Sequence, residues 1–342
     1  MIRVGLVGYG YWGPNLARNF AESRTCGLAG VCDLNLDRLA MARKRHPAVK
    51  LVTRYTDLLD DPQFDAIAIS TPVSTHFELA MSALRKGKHV MVEKPLTGSS
   101  DQARSLIEEA ERRHLVLMVD HTFIYTGAVR KVKEQVSGGE LGEIYYFDSV
   151  RVNLGLFQHD VDVIWDLAVH DLSIFNYLLA DRPVAISATG CGHIPGRREN
   201  TAYITLFFES SLIGHIHVNW LSPVKVRQTL IGGSRKMIVY DDMQLSEKVR
   251  VYDRGVTVSD TPESVYKVLV GYRMGDIWIP QLDNTEALQI EVNHFAECID
   301  TGTRPDSDGQ AGLEVVQYLE AATQSMKERG KPVELRRARA AA

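Results

Sequence analysis

The chain has few cysteines, no long apolar run, no internal repeat and no marked excess of either charge. Each absence removes a class of protein. Its four cysteines, Cys26, Cys32, Cys191 and Cys298, form no CxxC pair and no even framework in a short chain, so buried free thiols in a reducing compartment are expected rather than disulfides. No apolar run approaches the roughly 20 residues that span a bilayer. The opening residues MIRVGLVG show no apolar signal core with a cleavage site, so a cytoplasmic protein with no membrane partner is expected. With 39 basic and 43 acidic residues the net charge is −4, and no basic stripe calls for a nucleic acid partner. Hydrophobic residues at 45% and charged residues at 24% exclude a disordered or fibrous chain. At about 150 residues per domain, 342 residues suggest two domains.

What is present divides near residue 120. Up to that point short apolar runs rich in β-branched residues (2–7, 28–32, 66–69, 89–92, 115–119) alternate with helical patterns (14–21, 37–45, 75–85, 102–113). Continuous apolar strands between helices predict a doubly wound parallel sheet covered on both faces. Ser99, Ser100 or Asp101 can cap the helix at 102–113, and Pro14 sits where a first-turn proline is tolerated. From about residue 143 longer alternating strands follow (143–151, 184–191, 201–208, 212–220, 225–231, 236–240), with helices at 166–179 and 310–329 and a frayed tail. In 212–220 the residues Leu212, Gly214, Ile216, Val218 and Trp220 share one face, and His215, His217 and Asn219 the other. The expected fold is therefore α/β: a Rossmann domain over 1–120, then an α+β domain over 121–342 with a mostly antiparallel sheet.

The first strand runs into Gly8-Tyr9-Gly10-Tyr11-Trp12-Gly13, a G-x-G-x-x-G that opens a helix. In such a loop Gly8 permits the tight turn, Gly10 lets backbone approach a pyrophosphate, and Gly13 lets helix and strand pack closely. The helix N-terminus then faces the phosphates with unpaired N–H groups. Asp33 ends the second strand, 20 residues after Gly13, where a carboxylate can accept hydrogen bonds from both ribose hydroxyls and would repel a 2′-phosphate. This favours NAD over NADP, with the nearby Arg38 as the counter-indication. Ser70–His76, containing Thr71, Pro72 and His76, and Glu93-Lys94-Pro95 follow two further strands, and both should face the cofactor from the carboxyl edge of the sheet. Tyr11 and Trp12 join the cofactor set as members of the glycine loop. Lys94 could move a proton or hold a substrate hydroxyl; otherwise it is a solvated partner of Glu93.

These residues resemble the Gfo/Idh/MocA oxidoreductases, relatives of glucose-fructose oxidoreductase and inositol dehydrogenase. The resemblance rests on GYGYWG, VCD, STPVSTH, VEKPL, WDLAVHDLSIFNYLL, GGELGEIYYF and SDGQAGLEVVQYLEAA, and covers nearly the whole chain. It implies a Rossmann domain, a C-terminal α/β domain with a large open sheet, and homodimers or homotetramers through that sheet. It also implies a catalytic set of Lys94, Asp166 and His170. The residues agree: Asp166 and His170 are four apart, one helical turn, and a carboxylate beside an imidazole raises its basicity and fixes its orientation.

A polar stretch with Asn153, Gln158, His159 and Asp162, together with Tyr125, Arg151 and the loop 279–286, supplies candidates for the substrate pocket. His215 and His217 point the same way from a strand; without a third ligand at suitable spacing they read as open-sheet residues, and no metal is expected. The resemblance implies an NAD-dependent dehydrogenase of a secondary alcohol on a sugar, with C3 of a nucleotide-linked hexose the preferred position. A keto-sugar reductase, an inositol-type dehydrogenase and a non-catalytic NAD-binding regulator are the alternatives. Whether Lys94 or His170 is the base stays open at this level.

Overall fold

The computed structural model describes residues 1–155, 161–258 and 270–335, which pack into two compact units. The first carries six parallel strands, β1 (Ile2–Val7), β2 (Cys26–Cys32), β3 (Lys50–Val52), β4 (Ala66–Ile69), β5 (His89–Glu93) and β6 (Leu117–Asp120). They stand in the order β3-β2-β1-β4-β5-β6. Every residue of β4 is fully buried, as a strand covered on both faces requires. Helices α1 (Gly13–Glu22), α2 (Leu36–Arg45), α3 (Thr56–Leu59), α4 (His76–Arg85) and α5 (Ser100–Arg113) link the strands. Local chemistry sets their starts. Asn35 accepts from the N–H groups of Asp37 and Arg38 to begin α2, and Ser99 accepts from Gln102 to begin α5. The strand order reverses between β1 and β4, which opens a crevice beyond the carboxyl ends of the strands. The short β3 and α3 carry too little periodic sequence to be seen from pattern alone.

The second unit opens with α6 (Gly127–Ser137) and β7 (Ile144–Leu154), followed by a helix in two parts. Ile164–Ala168 forms a π-helical turn, and α7 (Val169–Leu178) continues it as an α-helix. The single α-helix expected over 166–179 therefore begins earlier and starts wider. The sheet strands are β8 (Ala185–Cys191), β9 (Thr201–Phe207), β10 (Ile213–Asn219), β11 (Leu221–Gly233), β12 (Met237–Asp241) and β13 (Val249–Tyr252). β14 (Gly255–Val258) and β15 (Val270–Arg273) pair as a separate ribbon, and β16 (Ile277–Trp278) closes one sheet edge. The nine-stranded sheet runs β16-β13-β12-β11-β7-β10-β9-β8-β17, antiparallel throughout except where β10 pairs β7. In β10 the alternation falls as expected: Gly214, Ile216 and Val218 are buried while Ile213 and His215 are exposed.

The chain then forms α8 (Ala287–Thr301) and α9 (Gly309–Lys327), with β17 (Val333–Glu334) last. No helix was expected between residues 286 and 310, yet Leu288, Val292 and Phe295 recur at helical spacing and α8 buries them. Cys26 donates to the Val292 carbonyl and Ser23 to Asn293, so α8 packs with the parallel sheet. Ser307 bonds the Val119 carbonyl, and Glu320 accepts from the Ser100 N–H. The first unit is accordingly Met1–Thr126 with Thr285–Glu320, and the second Gly127–Asn284 with the described residues from Ala321. Packing thus does not follow one cut near residue 120, because apolar helix faces bring a late segment back to the parallel sheet. Cys26, Cys32 and Cys298 are buried free thiols; Cys191, expected among them, is exposed near the end of β8.

Candidate active site

The carboxyl edge of the parallel sheet gathers the glycine loop, Asp33, the loop 70–76 and Glu93-Lys94-Pro95. Gly8 adopts φ +93°, and a Cβ there would lie 2.3 Å from the Ser70 carbonyl oxygen. A Cβ on Gly13 would lie 2.2 Å from the Gly8 carbonyl oxygen, so helix and turn meet at backbone contact. Gly10 differs: only the Arg38 guanidinium, at 3.6 Å, comes near its Cβ position, so space is open above the backbone. α1 has neither a side-chain cap nor an acidic residue in its first turn, unlike α2 and α5. An uncapped helix start behind an open glycine fits a pyrophosphate group.

Asp33 is buried and held on both oxygens. The Tyr9 N–H donates to Oδ2 at 2.7 Å, the Asn35 N–H to Oδ1 at 2.8 Å, and the Arg38 guanidinium lies 3.6 Å from Oδ2. The arginine that weighed against NAD therefore meets the carboxylate that weighed for it. Tyr11 is exposed on the loop and Trp12 half-buried. Thr71 is half-buried, its hydroxyl 2.7 Å from that of Thr75, and Pro72 is exposed. His76 is buried with Nδ1 2.9 Å from the Pro95 carbonyl oxygen and Nε2 2.9 Å from that of Thr71, so its ring joins the two loops from beneath. Burial pushes its pKa below the ordinary histidine value. The Glu93 carboxylate accepts from the Lys94 N–H. Lys94 is half-buried, and its charge is felt at His76, Asp120 and His121.

Three residues at this edge escape the reading of the sequence: Asp120, His121 and Glu291. Asp120 accepts from Trp12 Nε1 at 2.7 Å and from the Thr122 hydroxyl at 2.5 Å, tying the glycine loop to the end of β6. Glu291 of α8 has no exposed surface and lies against Asp120 and Thr122 without a hydrogen bond of good geometry. His121 is buried, neither ring nitrogen has a partner, and burial lowers its pKa to about 3. The strand expected over 115–119 stops one residue short of Asp120 and two short of His121. Glu291 could have been found as the one carboxylate inside the apolar stripe of α8.

The second unit carries Asp166 in the π turn and His170 in the first turn of α7, both half-buried. Trp220, 1% exposed at the end of β10, donates through Nε1 to Asp166 Oδ2 at 3.1 Å. Asp162 is buried and starts the helix by accepting from the Ile164 and Trp165 N–H groups. Behind the helix Arg151 donates through Nε to Asp171 Oδ2 at 2.7 Å, and Ser149 donates to Asp171 Oδ1 at 2.7 Å.

Arg151, a substrate candidate by sequence, is therefore a buried ion-pair partner, and the fully buried Tyr125 places its hydroxyl 2.9 Å from that of Ser307. Neither presents its polar group at the surface: the Arg151 guanidinium turns inward to Asp171 and the Tyr125 hydroxyl to Ser307. Asn153 is half-buried near the end of β7. Gln158 and His159 lie outside the described residues, as does the tail from residue 336. Tyr203 stacks on His217 with ring centroids 4.4 Å apart, and among the described residues no three groups converge as a metal site. No helix among them is long and apolar enough to cross a membrane.

The strand order and glycine turn define a dinucleotide-binding oxidoreductase fold. The chain belongs to the Gfo/Idh/MocA family: residues 2–121 match the oxidoreductase family with an NAD-binding Rossmann fold, and residues 129–239 match the GFO/IDH/MocA C-terminal domain. It is 29% identical over 322 residues to a UDP-N-acetylglucosamine 3-dehydrogenase of Acidithiobacillus ferrooxidans, covering 92% of this chain and 94% of that one. It is 27% identical to a scyllo-inositol 2-dehydrogenase (NAD(+)) of Bacillus subtilis, covering 98% and 96%. A solved structure of the Acidithiobacillus enzyme superposes with a TM-score of 0.80 at 26% identity, covering 95% of this chain and 97% of that one.

Proposed function

We propose that this oxidoreductase is an NAD-dependent dehydrogenase of a ring secondary alcohol, with C3 of a nucleotide-linked hexose as its position of attack. The observation that carries the reading is that Lys94, Asp166 and His170 are all intact in a chain similar over more than nine-tenths of its length to a sugar-nucleotide 3-dehydrogenase. Gly8, Gly10, Gly13 and the start of α1 would hold the pyrophosphate, and Asp33 with Arg38 the adenosine ribose. The cofactor, when bound, supplies the hydride acceptor. His170 takes the hydroxyl proton as the C–H bond gives up its hydride, Asp166 orients the imidazole, and Lys94 polarises the alcohol oxygen. A positioned base of this kind contributes about 10²–10⁴ in rate.

The inositol-type reading keeps the same groups and draws on the scyllo-inositol relative, which matches almost as well. The deciding assay follows nicotinamide absorbance with NAD or NADP against UDP-N-acetylglucosamine and scyllo-inositol. Turnover of the sugar nucleotide, lost in H170A and K94A, supports the reading. Turnover of inositol alone replaces the substrate class, and cofactor binding without turnover of either leaves a non-catalytic regulator. If pH profiles of kcat for K94R and H170N move differently from wild type, the group whose variant flattens the acidic limb is the base, because a base acts only when unprotonated.

The open face of the large sheet exposes Tyr203, Phe207 and Ile213, with Phe207 and Ile213 directly opposed across β9 and β10. Its proposed occupant is a second copy of this chain, since Phe207 and Ile213 form an exposed apolar pair on a broad sheet face.

A further inference from the structure

We propose that Asp120 and Glu291 share a single proton, Glu291 as the neutral acid and Asp120 as the carboxylate, and that this pair is the positioning device of the glycine loop. The inference deepens the dinucleotide reading, on which its functional part rests. Asp120 is assigned the charge because it accepts two hydrogen bonds, from Trp12 Nε1 and the Thr122 hydroxyl, and because Lys94 lies on its side. Glu291 has no such support. It is fully buried, no cation of the described residues pairs with it, and it faces two other carboxylates, Asp120 and Glu93. Two adjacent carboxylates out of water cannot both be ionised cheaply, so one keeps its proton. Burial and the neighbouring Asp120 hold the Glu291 carboxyl well above the usual range, and burial also raises Asp120, which Thr122 and Trp12 pull back down.

The groups around the pair decide what its proton does. Glu93 and Lys94 face it from the end of β5, Trp12 from the glycine loop, and Thr122 from the turn after β6. His121, next to Asp120, stays neutral under the same lysine and adds no charge. A protonated Glu291 can donate its O–H to Asp120, leaving that carboxylate to receive the indole of Trp12. Loss of the proton would place a second negative charge behind the loop and push the Asp120 carboxylate toward Lys94. The Trp12 anchor, two residues from Gly10, would then shift where backbone must approach a pyrophosphate. Glu291 and Asp120 are positioning residues in this account; neither touches the reacting atoms.

The test uses the full chain. The infrared difference between wild type and E291Q at neutral pH should show the C=O stretch of a protonated acid, present in wild type and missing in the variant. Calorimetric titration with NAD should give E291Q a Kd within about twofold of wild type, because an amide still donates to Asp120. D120N, which deprives Trp12 of a charged acceptor, should bind about ten- to hundredfold more weakly. Wild-type affinity should fall on the alkaline side as Glu291 loses its proton, and E291Q should lack that fall. A carboxylate band in place of the acid band, or an identical alkaline fall in E291Q, overturns the shared proton. If wild type binds neither NAD nor NADP but shows the acid band, the cofactor reading falls and the proton-sharing pair stands.

Discussion

Trp220 holds Asp166 by one hydrogen bond, indole Nε1 to carboxylate Oδ2 at 3.1 Å. The tryptophan is itself fixed: its N–H meets the Asn200 carbonyl, its carbonyl receives the Gly155 N–H, and a Cβ on Gly155 would collide with the indole. A π turn widens the helix at Asp166, and such turns are found where a side chain must be aimed for function. Substituting Trp220→Phe keeps the apolar contact and removes the donor. We expect kcat to fall about tenfold with little change in KM, since a hydrogen bond to a charged group is worth roughly 1.5–3 kcal/mol and part of it aims Asp166. Steady-state kinetics on whichever substrate the nicotinamide assay identifies checks this.

The glycine loop separates a folding role from a binding role. Gly13→Ala drives a methyl into the Gly8 carbonyl at 2.2 Å, so the loop must open and both stability and cofactor affinity should drop. Gly10→Ala meets only the Arg38 guanidinium at 3.6 Å, so thermal stability should stay within about 1 kcal/mol of wild type. Its added methyl occupies the space proposed for pyrophosphate, and NAD affinity should fall by at least about tenfold. Thermal melts paired with NAD titrations distinguish the two variants.

Arg151 and Asp171 are 4% and 2% exposed in their side chains, and they bind β7 to α7. Asp171→Asn leaves the guanidinium buried beside a neutral amide. Breaking one partner of such a pair costs about 3–5 kcal/mol, while replacing both by apolar residues of similar size is often neutral. Urea unfolding should therefore show D171N strongly destabilised and R151M/D171L largely recovered. Recovery of stability without recovery of activity would mean that the pair also aims His170, which neighbours Asp171 in the chain.

The open sheet face gives a direct test of association. Ile213→Asp places a charge opposite Phe207, within the exposed apolar pair, at a position 48% exposed. A solvated residue tolerates that change, so the monomer should melt within about 0.5 kcal/mol of wild type. A desolvated interface does not, and sedimentation should then show smaller assemblies for the variant. Unchanged sedimentation would remove this face as the interface.

Much of this arrangement is legible in the residues because it is local. The glycine triplet, Asp33, the apolar runs of the parallel strands and the alternation of β10 each express a short-range rule of backbone or period. What escapes is long-range. Arg151 and Asp171 lie 20 residues apart, and nothing in either segment says that they meet; Arg151 consequently reads as a candidate for the substrate pocket. Tyr125 finds Ser307 across 182 residues, and Glu291 reaches Asp120 only because α8 returns to the parallel sheet. The π turn is invisible for a different reason, since residues 164–178 are compatible with an ordinary α-helix until the Trp220 and Asp162 contacts are known.

His121 should leave a signature in the pH dependence of stability. Its ring is buried beside Lys94 with no partner on either nitrogen, and burial lowers its pKa from the ordinary 6.5 to about 3. Between those values the unfolded chain binds a proton that the native protein does not, so this group's contribution raises stability as pH rises. The contribution is complete above the unfolded value and is lost progressively as pH falls toward the folded one. A single proton gives a slope of at most about 1.4 kcal/mol per pH unit. Asp120 and Glu291, with raised pKa values, act with the opposite sign in the acid range, so the raw profile mixes them. The difference between wild type and His121→Leu isolates the imidazole, because leucine cannot titrate and no hydrogen bond is lost. Urea unfolding at a series of pH values should show the two proteins similar at neutral pH and H121L increasingly the more stable as pH falls. Parallel profiles would mean that His121 titrates in the folded protein as it does in the unfolded chain.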